Sequence, residues 1–195
     1  MDVKLQKMTF LSVYPKLGDL FDILSANRER LKPWFWWASE KITPNKFRFV
    51  LFILLYLANT KRKEIAHNFN PAKLYDESFI VYNEGGKVAG LCGLDNIDTV
   101  NKKNAELWGL SFKGNPFGGA DCVIEMLEKH GANMNLDSLY AHVKVNNDKS
   151  KACLKRNNYA AQEGTKEATV SRKPYRTAPV QVFTKILTKA ERGAR

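Results

Sequence analysis

The segment that decides the fold runs from Ala105 to Leu127 and reads AELWGLSFKGNPFGGADCVIEML. Residues 105–112 predict a β-strand. The run DCVIEMLEKHG, which begins at Asp121, has apolar residues at helical spacing. Between the two lies the glycine-rich stretch KGNPFGGA, residues 113–120. Glycines before a helix let backbone N–H groups and the positive helix end converge on an anion. The segment therefore predicts a strand, a phosphate-binding loop and a helix.

This loop does not match either of the two best-known phosphate-binding motifs. The sequence contains no GxxxxGK[ST], and no GxGxxG with an acidic residue about 20 positions further on. Chemistry on nucleoside triphosphates is therefore disfavoured.

The rest of the chain alternates between helical and extended patterns. Residues 20–31 have apolar residues at helical spacing and end at Pro33. Thr43 and Pro44 form an N-cap and N1 pair for a second helix that runs to about Asn59. Further strands are predicted at residues 79–82 and 88–94, joined by the turn NEGG, and at 139–145 and 180–187, with a short helix, SKACLKRNN, at 150–158. This order predicts a mixed α/β (α+β) fold.

Length and charge limit the organisation and the partners. At 195 residues the chain fits one domain, residues 1–187, followed by a basic tail, residues 188–195. The formal net charge is +11. Such an excess attracts polyanions or acidic protein surfaces, although a generally basic, solvated surface explains it equally well.

Cysteine spacing and the N-terminus indicate a reduced, cytoplasmic protein. Cys92, Cys122 and Cys153 form neither a disulfide framework nor a zinc site, and we expect them to be inert and buried. The N-terminus lacks the apolar core of a signal peptide. The apolar run 47–57 is shorter than the about 20 residues that a membrane span needs. It predicts a buried helix, with an interfacial helix as the alternative.

Four blocks of the sequence, in this order, resemble the GNAT superfamily of N-acetyltransferases, in particular its ribosomal-protein N-terminal acetyltransferase branch. The resemblance covers about residues 20–187 and rests on order and spacing more than on any single block. The blocks are Asn27-Arg28 through Trp34; Gly90–Leu94 followed by Ile97-Asp98; Ala105–Leu107 through Gly118–Ala120; and Asn147 with Ser150, followed by Tyr159 and Glu163-Gly164.

This resemblance implies a twisted mixed sheet of about six or seven strands with helices on both faces. It also implies acetyl-CoA as cosubstrate, entering where the fourth and fifth strands splay, and acetyl transfer to a primary amine. The resemblance places CoA on the backbone amides of the glycine loop and on two flanking side chains. The residues it implies for CoA binding are Lys113, Phe117, Gly118, Gly119, Ala120, Asp121 and Asn147.

Acetyl transfer needs a base for the amine, a donor for the thioester oxygen and a proton for the thiolate. His142 is one base candidate, because its ordinary pKa of about 6.5 suits neutral pH. Glu106 is the other, acting through water or binding the acceptor. The resemblance implies that Ser150 orients the thioester or relays a proton, unless Asn147 or Asp148 merely caps the helix. Trp34 and Trp37 line the acceptor site or belong to the core.

Three departures from the family pattern motivate an alternative function. Pro116 removes a backbone donor from the loop, Leu154 stands where many relatives carry a tyrosine acid, and Asn158 replaces a glycine that takes a left-handed conformation. The alternative is a catalytically weak GNAT-fold module that binds an acidic partner or RNA. For an enzyme, the acceptor is a protein N-terminus, acidic ones included, an RNA-linked amine or a small amine, and a homodimer is one option for the assembly.

Overall fold

The structure is a computed structural model that describes residues 3–31, 46–111, 120–172 and 175–188. In these ranges the chain forms a sheet of eight strands and six α-helices. The helices are α1 (Phe10–Val13), α2 (Leu17–Ala26), α3 (Arg28–Leu31), α4 (Lys46–Phe69), α5 (Ala120–Asn133) and α6 (Asp148–Arg156). The strands are β1 (Lys4–Lys7), β2 (Tyr75–Tyr82), β3 (Val88–Asp98), β4 (Asn104–Ser111), β5 (Ser138–Lys144), β6 (Ala160–Ala161), β7 (Lys166–Arg172) and β8 (Tyr175–Ile186).

The sheet is mixed, and its strand order is β1-β2-β3-β4-β5-β8-β6, with β7 also paired to β8. The β4–β5 pair is parallel, whereas the other pairs in the described ranges are antiparallel. The predicted mixed sheet is confirmed, with eight strands instead of the six or seven expected. The sequence analysis missed β1, β6 and β7, because they are short or polar.

Helices cover both faces of the sheet, as predicted. Strand side chains alternate between the two faces, so Phe79 and Val81 pack in one core while Ile80 and Tyr82 pack in the other. The first core is completed by apolar residues of α5 and α6, such as Leu127. The second is completed by residues of α1, α2 and α4. A ligand that touches helices of both groups must therefore pass through the sheet or around its edge.

Two of the predicted helix ends are wrong. The second helix ends at Phe69 rather than near Asn59, because a polar continuation supported by the Lys61–Glu64 ion pair keeps the chain helical. The first predicted helix breaks at Asn27, whose backbone N–H and side-chain amide both donate to the carbonyl of Ile23.

The apolar run 47–57 lies in α4, where Phe49, Ile53 and Leu57 are buried in the core while Leu51 and Leu55 are exposed. This amphipathic pattern agrees with the expected buried helix. Of the helices that the described ranges contain, none is both long enough and apolar enough to cross a membrane.

Candidate active site

Strands β4 and β5 pair only at their first residues and then separate. The parallel register runs from Asn104 opposite Ser138 to Glu106 opposite Tyr140. Beyond this last paired position the strands continue to Ser111 and Lys144 without pairing to each other. The predicted splay between the fourth and fifth strands is therefore present.

A cavity of about 880 Å³ occupies this gap and reaches both faces of the sheet. On one face it is lined by α4, through Phe52 and Tyr56. On the other it is lined by Ile124 of α5 and by Ser150 and Leu154 of α6. Its volume lies within the roughly 300–1,000 Å³ typical of small-molecule sites. Two molecules entering from opposite faces can meet in it.

Glu106 and His142, the two base candidates of the sequence analysis, form one hydrogen-bonded pair in the cavity. Nδ1 of His142 lies 2.8 Å from Oε1 of Glu106, and the two side chains are 31% and 25% exposed. An ionised carboxylate only accepts hydrogen bonds, so in the neutral imidazole Nδ1 carries the proton and Nε2 keeps its lone pair. The hydrogen bond with Glu106 raises the pKa of His142 above its ordinary value. The imidazole is thus a stronger base than a free histidine.

A second carboxylate, Asp95, lies beside this pair. It is opposite Glu106 in the β3–β4 register and accepts a 3.0 Å hydrogen bond from Nε1 of Trp108. Burial, and then the charge of Asp76, raise the pKa of Asp95 to about 7, against the opposing effect of the Trp108 hydrogen bond. Asp76 itself forms an ion pair with Lys63 of α4. Asp95, Trp108, Asp76 and Lys63 all line the cavity, and the sequence analysis identified none of these four as site residues.

Gly93 makes room for the Trp108 side chain. The two residues are opposite each other in the β3–β4 register. A Cβ atom at Gly93 would lie 2.4 Å from the backbone oxygen of Glu77 and 2.8 Å from Nε1 of Trp108. The indole therefore lies against Gly93, which has no side chain, and its Nε1 reaches Asp95 two residues further along β3.

The predicted CoA residues within the described ranges cluster at the starts of α5 and α6. Ala120 and Asp121 form the first turn of α5, and Asn157 of the α6 C-cap donates a 2.6 Å hydrogen bond to the Asp121 carboxylate. Asn147 caps α6 by accepting the backbone N–H of Ser150 at 3.3 Å. The capping role considered for Asn147 is thus present, and both Asn147 and Ser150 also line the cavity.

Other predicted residues lie outside the described residues, so the structure does not place them. They are Trp34 and Trp37 of the acceptor side, and Lys113, Pro116, Phe117, Gly118 and Gly119 of the loop.

Asn158 adopts the left-handed conformation that the sequence predicts, with φ 64°. Its N–H bonds the Lys155 carbonyl, and the N–H of Tyr159 bonds the Leu154 carbonyl, which together close α6 in a Schellman motif. Leu154 is 4% exposed and packs in the core. These substitutions therefore preserve the local fold.

The cysteines meet the prediction only in part. Cys92 is buried, and burial raises its pKa to about 12. Cys122 and Cys153 are half-buried rather than buried, because they lie on helix faces that meet the core only in part.

Comparison with solved structures identifies the fold. A ribosomal-protein α-N-acetyltransferase, RimL, in complex with coenzyme A has a TM-score of 0.67 at 15% identity, over 95% of this chain and 94% of that chain. A spermidine N-acetyltransferase from Vibrio cholerae has a TM-score of 0.62 at 18% identity, over 96% and 95%. The same enzyme with CoA and spermine has a TM-score of 0.61 at 15% identity, over 95% of each chain. No family model and no curated protein matches the sequence. The chain has the fold of these GNAT N-acetyltransferases.

Proposed function

We propose that this chain, with its GNAT fold, is an acetyl-CoA-dependent N-acetyltransferase that acts on a primary amine. The observation that carries the proposal is the hydrogen-bonded Glu106–His142 pair, which lies in a cavity that crosses the sheet at the β4–β5 gap. A base of this kind is what amine acylation requires. The solved structures with coenzyme A bound to the same fold support this cosubstrate.

The residues at the gap fit CoA. Leu107, Val143 and Ile124 give the cavity apolar surface for an extended, uncharged chain. The first turn of α5 presents backbone N–H groups and the positive end of the helix dipole, which suit a pyrophosphate. We assign pyrophosphate binding to the amides of Ala120 and Asp121 and to the loop residues Lys113, Phe117, Gly118 and Gly119, and we assign Asn147 to CoA binding as well.

In the proposed reaction His142 Nε2 takes a proton from the acceptor amine. The neutral amine nitrogen then attacks the thioester carbonyl carbon, the C–N bond forms and the C–S bond breaks, and the proton that the acylated nitrogen loses goes to the leaving thiolate. The Glu106 carboxylate holds Nδ1–H and stabilises the imidazolium that forms. We assign to Ser150 the task of orienting the thioester or passing a proton to the thiolate, because Leu154 has no proton to give.

The acceptor end of the cavity favours a cationic amine. Among the cavity-lining residues, Asp76, Asp95, Glu106 and Lys63 belong to α4 and strands β2 to β4, whereas Lys144 and Lys149 lie at the end of β5 and in α6. An ammonium group that enters is therefore attracted, whereas an acidic peptide is repelled. The spermidine N-acetyltransferase neighbours act on such an amine, and the ribosomal-protein acetyltransferase acts on a protein N-terminus. We place small cationic amines ahead of acidic N-termini and RNA-linked amines.

The alternative function, a GNAT-fold module without catalysis, does not require a base in the cavity. The Glu106–His142 pair is held in a geometry that such a module does not use, which favours the enzyme. Cytoplasmic location and the homodimer stay predictions.

The experiment is to follow thiol release from acetyl-CoA with a panel of amines, using wild type, His142→Ala and Glu106→Gln. We expect His142→Ala to lose about 10²–10⁴-fold in kcat, the usual contribution of a general base. His67→Ala is the matched control, because His67 bonds the Lys73 carbonyl at the end of α4, away from the cavity. Full rate in both site variants would refute the base assignment. If calorimetry detects no acetyl-CoA binding by wild type, the enzymatic function itself is wrong.

A further inference from the structure

Strand β3 contains an irregularity next to the Glu106–His142 pair. Its antiparallel register with β4 is regular up to Asp95 opposite Glu106 and shifts before Asp98 opposite Asn104. Asn96 lies at this shift with φ 54°, in the left-handed region. Asn is one of the few non-glycine residues that adopt this conformation at low cost. Bulges of this kind re-aim side chains near active sites.

In this conformation Asn96 has two hydrogen-bond partners among the residues that line the cavity. Its backbone N–H donates to Oδ1 of Asp76 at 3.0 Å. Its side-chain Nδ2 donates to Oε2 of Glu106 at 3.4 Å, a long hydrogen bond. Asn96 thus joins a carboxylate of β2 to the carboxylate of the proposed base pair.

Glu106 is therefore held at both of its carboxylate oxygens. Oε1 accepts from Nδ1 of His142, and Oε2 accepts from Asn96. The other end of the chain of contacts is fixed as well, because Asp76 is ion-paired to Lys63 of α4. Polar contacts run without a break from α4 through β2, β3 and β4 to His142 on β5. Two partners on opposite oxygens keep the carboxylate plane from rotating away from the imidazole.

We propose that Asn96 is a positioning residue for the reaction, and that it fixes Glu106 so that His142 keeps its proton on Nδ1 and its lone pair on Nε2. The inference rests on the proposed base. Without the Asn96 amide, the Glu106 carboxylate turns more freely and the imidazole also samples the Nε2–H tautomer, which cannot accept a proton from the amine. The effect is on kcat, since Asn96 lies away from the CoA end of the cavity.

The test uses Asn96→Gly, which keeps the left-handed backbone and removes only the amide side chain. Asn135→Gly is the matched control, because Asn135 has φ 59° in an exposed turn after α5. We expect Asn96→Gly to lose about tenfold in kcat, the lower end for a hydrogen bond to a charged group, with KM for acetyl-CoA unchanged. Asn135→Gly keeps the wild-type kcat. A purely structural role would instead lower the thermal midpoint of Asn96→Gly and leave its kcat near wild type.

A second readout does not depend on activity. The ¹⁵N chemical shifts of the imidazole nitrogens report the tautomer of neutral His142. The groups that face this imidazole are Glu106, Lys166 and Tyr140. We expect Nδ1–H alone in wild type and a mixture in Asn96→Gly. An unchanged tautomer together with an unchanged kcat overturns the proposal. If wild type transfers no acetyl group, the proposed function fails, and the tautomer shift in Asn96→Gly still decides whether Asn96 positions the pair.

Discussion

Gly93→Ala tests the packing that brings Trp108 to Asp95. The added Cβ atom would meet the Glu77 carbonyl oxygen at 2.4 Å and Trp108 Nε1 at 2.8 Å. Overpacking a well-packed interior costs typically about 1–3 kcal/mol. We expect the upper end, about 3 kcal/mol, because the carbonyl belongs to the neighbouring strand and cannot rotate away as a side chain does. For a domain of this size that corresponds to a fall in Tm of roughly 6–12 °C.

The control for this variant is Gly109→Ala on the adjacent strand, where the added Cβ atom would meet only Cβ of Cys92 at 4.0 Å. We expect its stability to lie within about 0.5 kcal/mol of wild type, because alanine fits there and restricts the unfolded chain. Urea unfolding gives both values, and the indole N–H resonance of Trp108, assigned with Trp108→Phe, reports the lost hydrogen bond to Asp95. Equal stability of the two alanine variants, with that resonance unmoved, would refute the packing argument.

Three further predictions concern protons and helix ends. The free energy of unfolding of Asp95→Asn, relative to wild type, should rise from about pH 4 to about pH 7 and then stay constant, because the raised pKa makes ionisation of Asp95 costly in the folded state. Urea unfolding midpoints across this range measure the difference, and a difference that does not change with pH would contradict the prediction. The pKa of His142 is raised in the folded state. Its pair with Glu106 therefore stabilises the fold fully below the ordinary histidine pKa of about 6.5, and this stabilisation is lost as pH rises through the raised pKa. His142→Gln should lower the free energy of unfolding more near pH 6 than near pH 9. Asn158→Ala should cost about 1 kcal/mol because alanine pays the full left-handed penalty, whereas Asn158→Gly should not; a loss in both variants would show that the side chain matters more than the backbone.

Much of the fold follows from local patterns. The β2–β3 hairpin and helix α5 each have a local signature, so each was predictable. Strand β7 was not, because its sequence KEATVSR has little apolar character. It is held as a strand by its register with β8, from Lys166 opposite Val180 onward. Pairing with a long neighbour overrides weak intrinsic preference, and such pairing is invisible in a window of sequence.

Of the candidate site, the sequence indicated two members, Glu106 and His142, but neither their arrangement nor their surroundings. Glu106 and His142 were both candidates, yet nothing in a separation of 36 positions shows that they touch. The residues around them were missed because each looks ordinary in its own strand. Asn96 in particular acquires its role from a register shift, and only the paired strands reveal it. The sequence thus indicates which residues are chemically suitable, whereas only the folded sheet shows which of them are in contact.

The geometry of the β4–β5 gap explains why the proposed base is a pair at this level of the sheet. Glu106 is opposite Tyr140 at the last paired position of two parallel strands, and His142 is the next residue on the same face of β5. Here the strands are still close enough for a 2.8 Å contact, yet the space beyond them is open cavity. Towards the first residues of the two strands, the paired backbones leave no room for substrate. Towards the last residues of the two strands, Trp108 and Lys144 lie on strands that no longer pair with each other. The proposed base therefore lies where the two strands begin to separate, in contact with both the paired sheet and the open cavity.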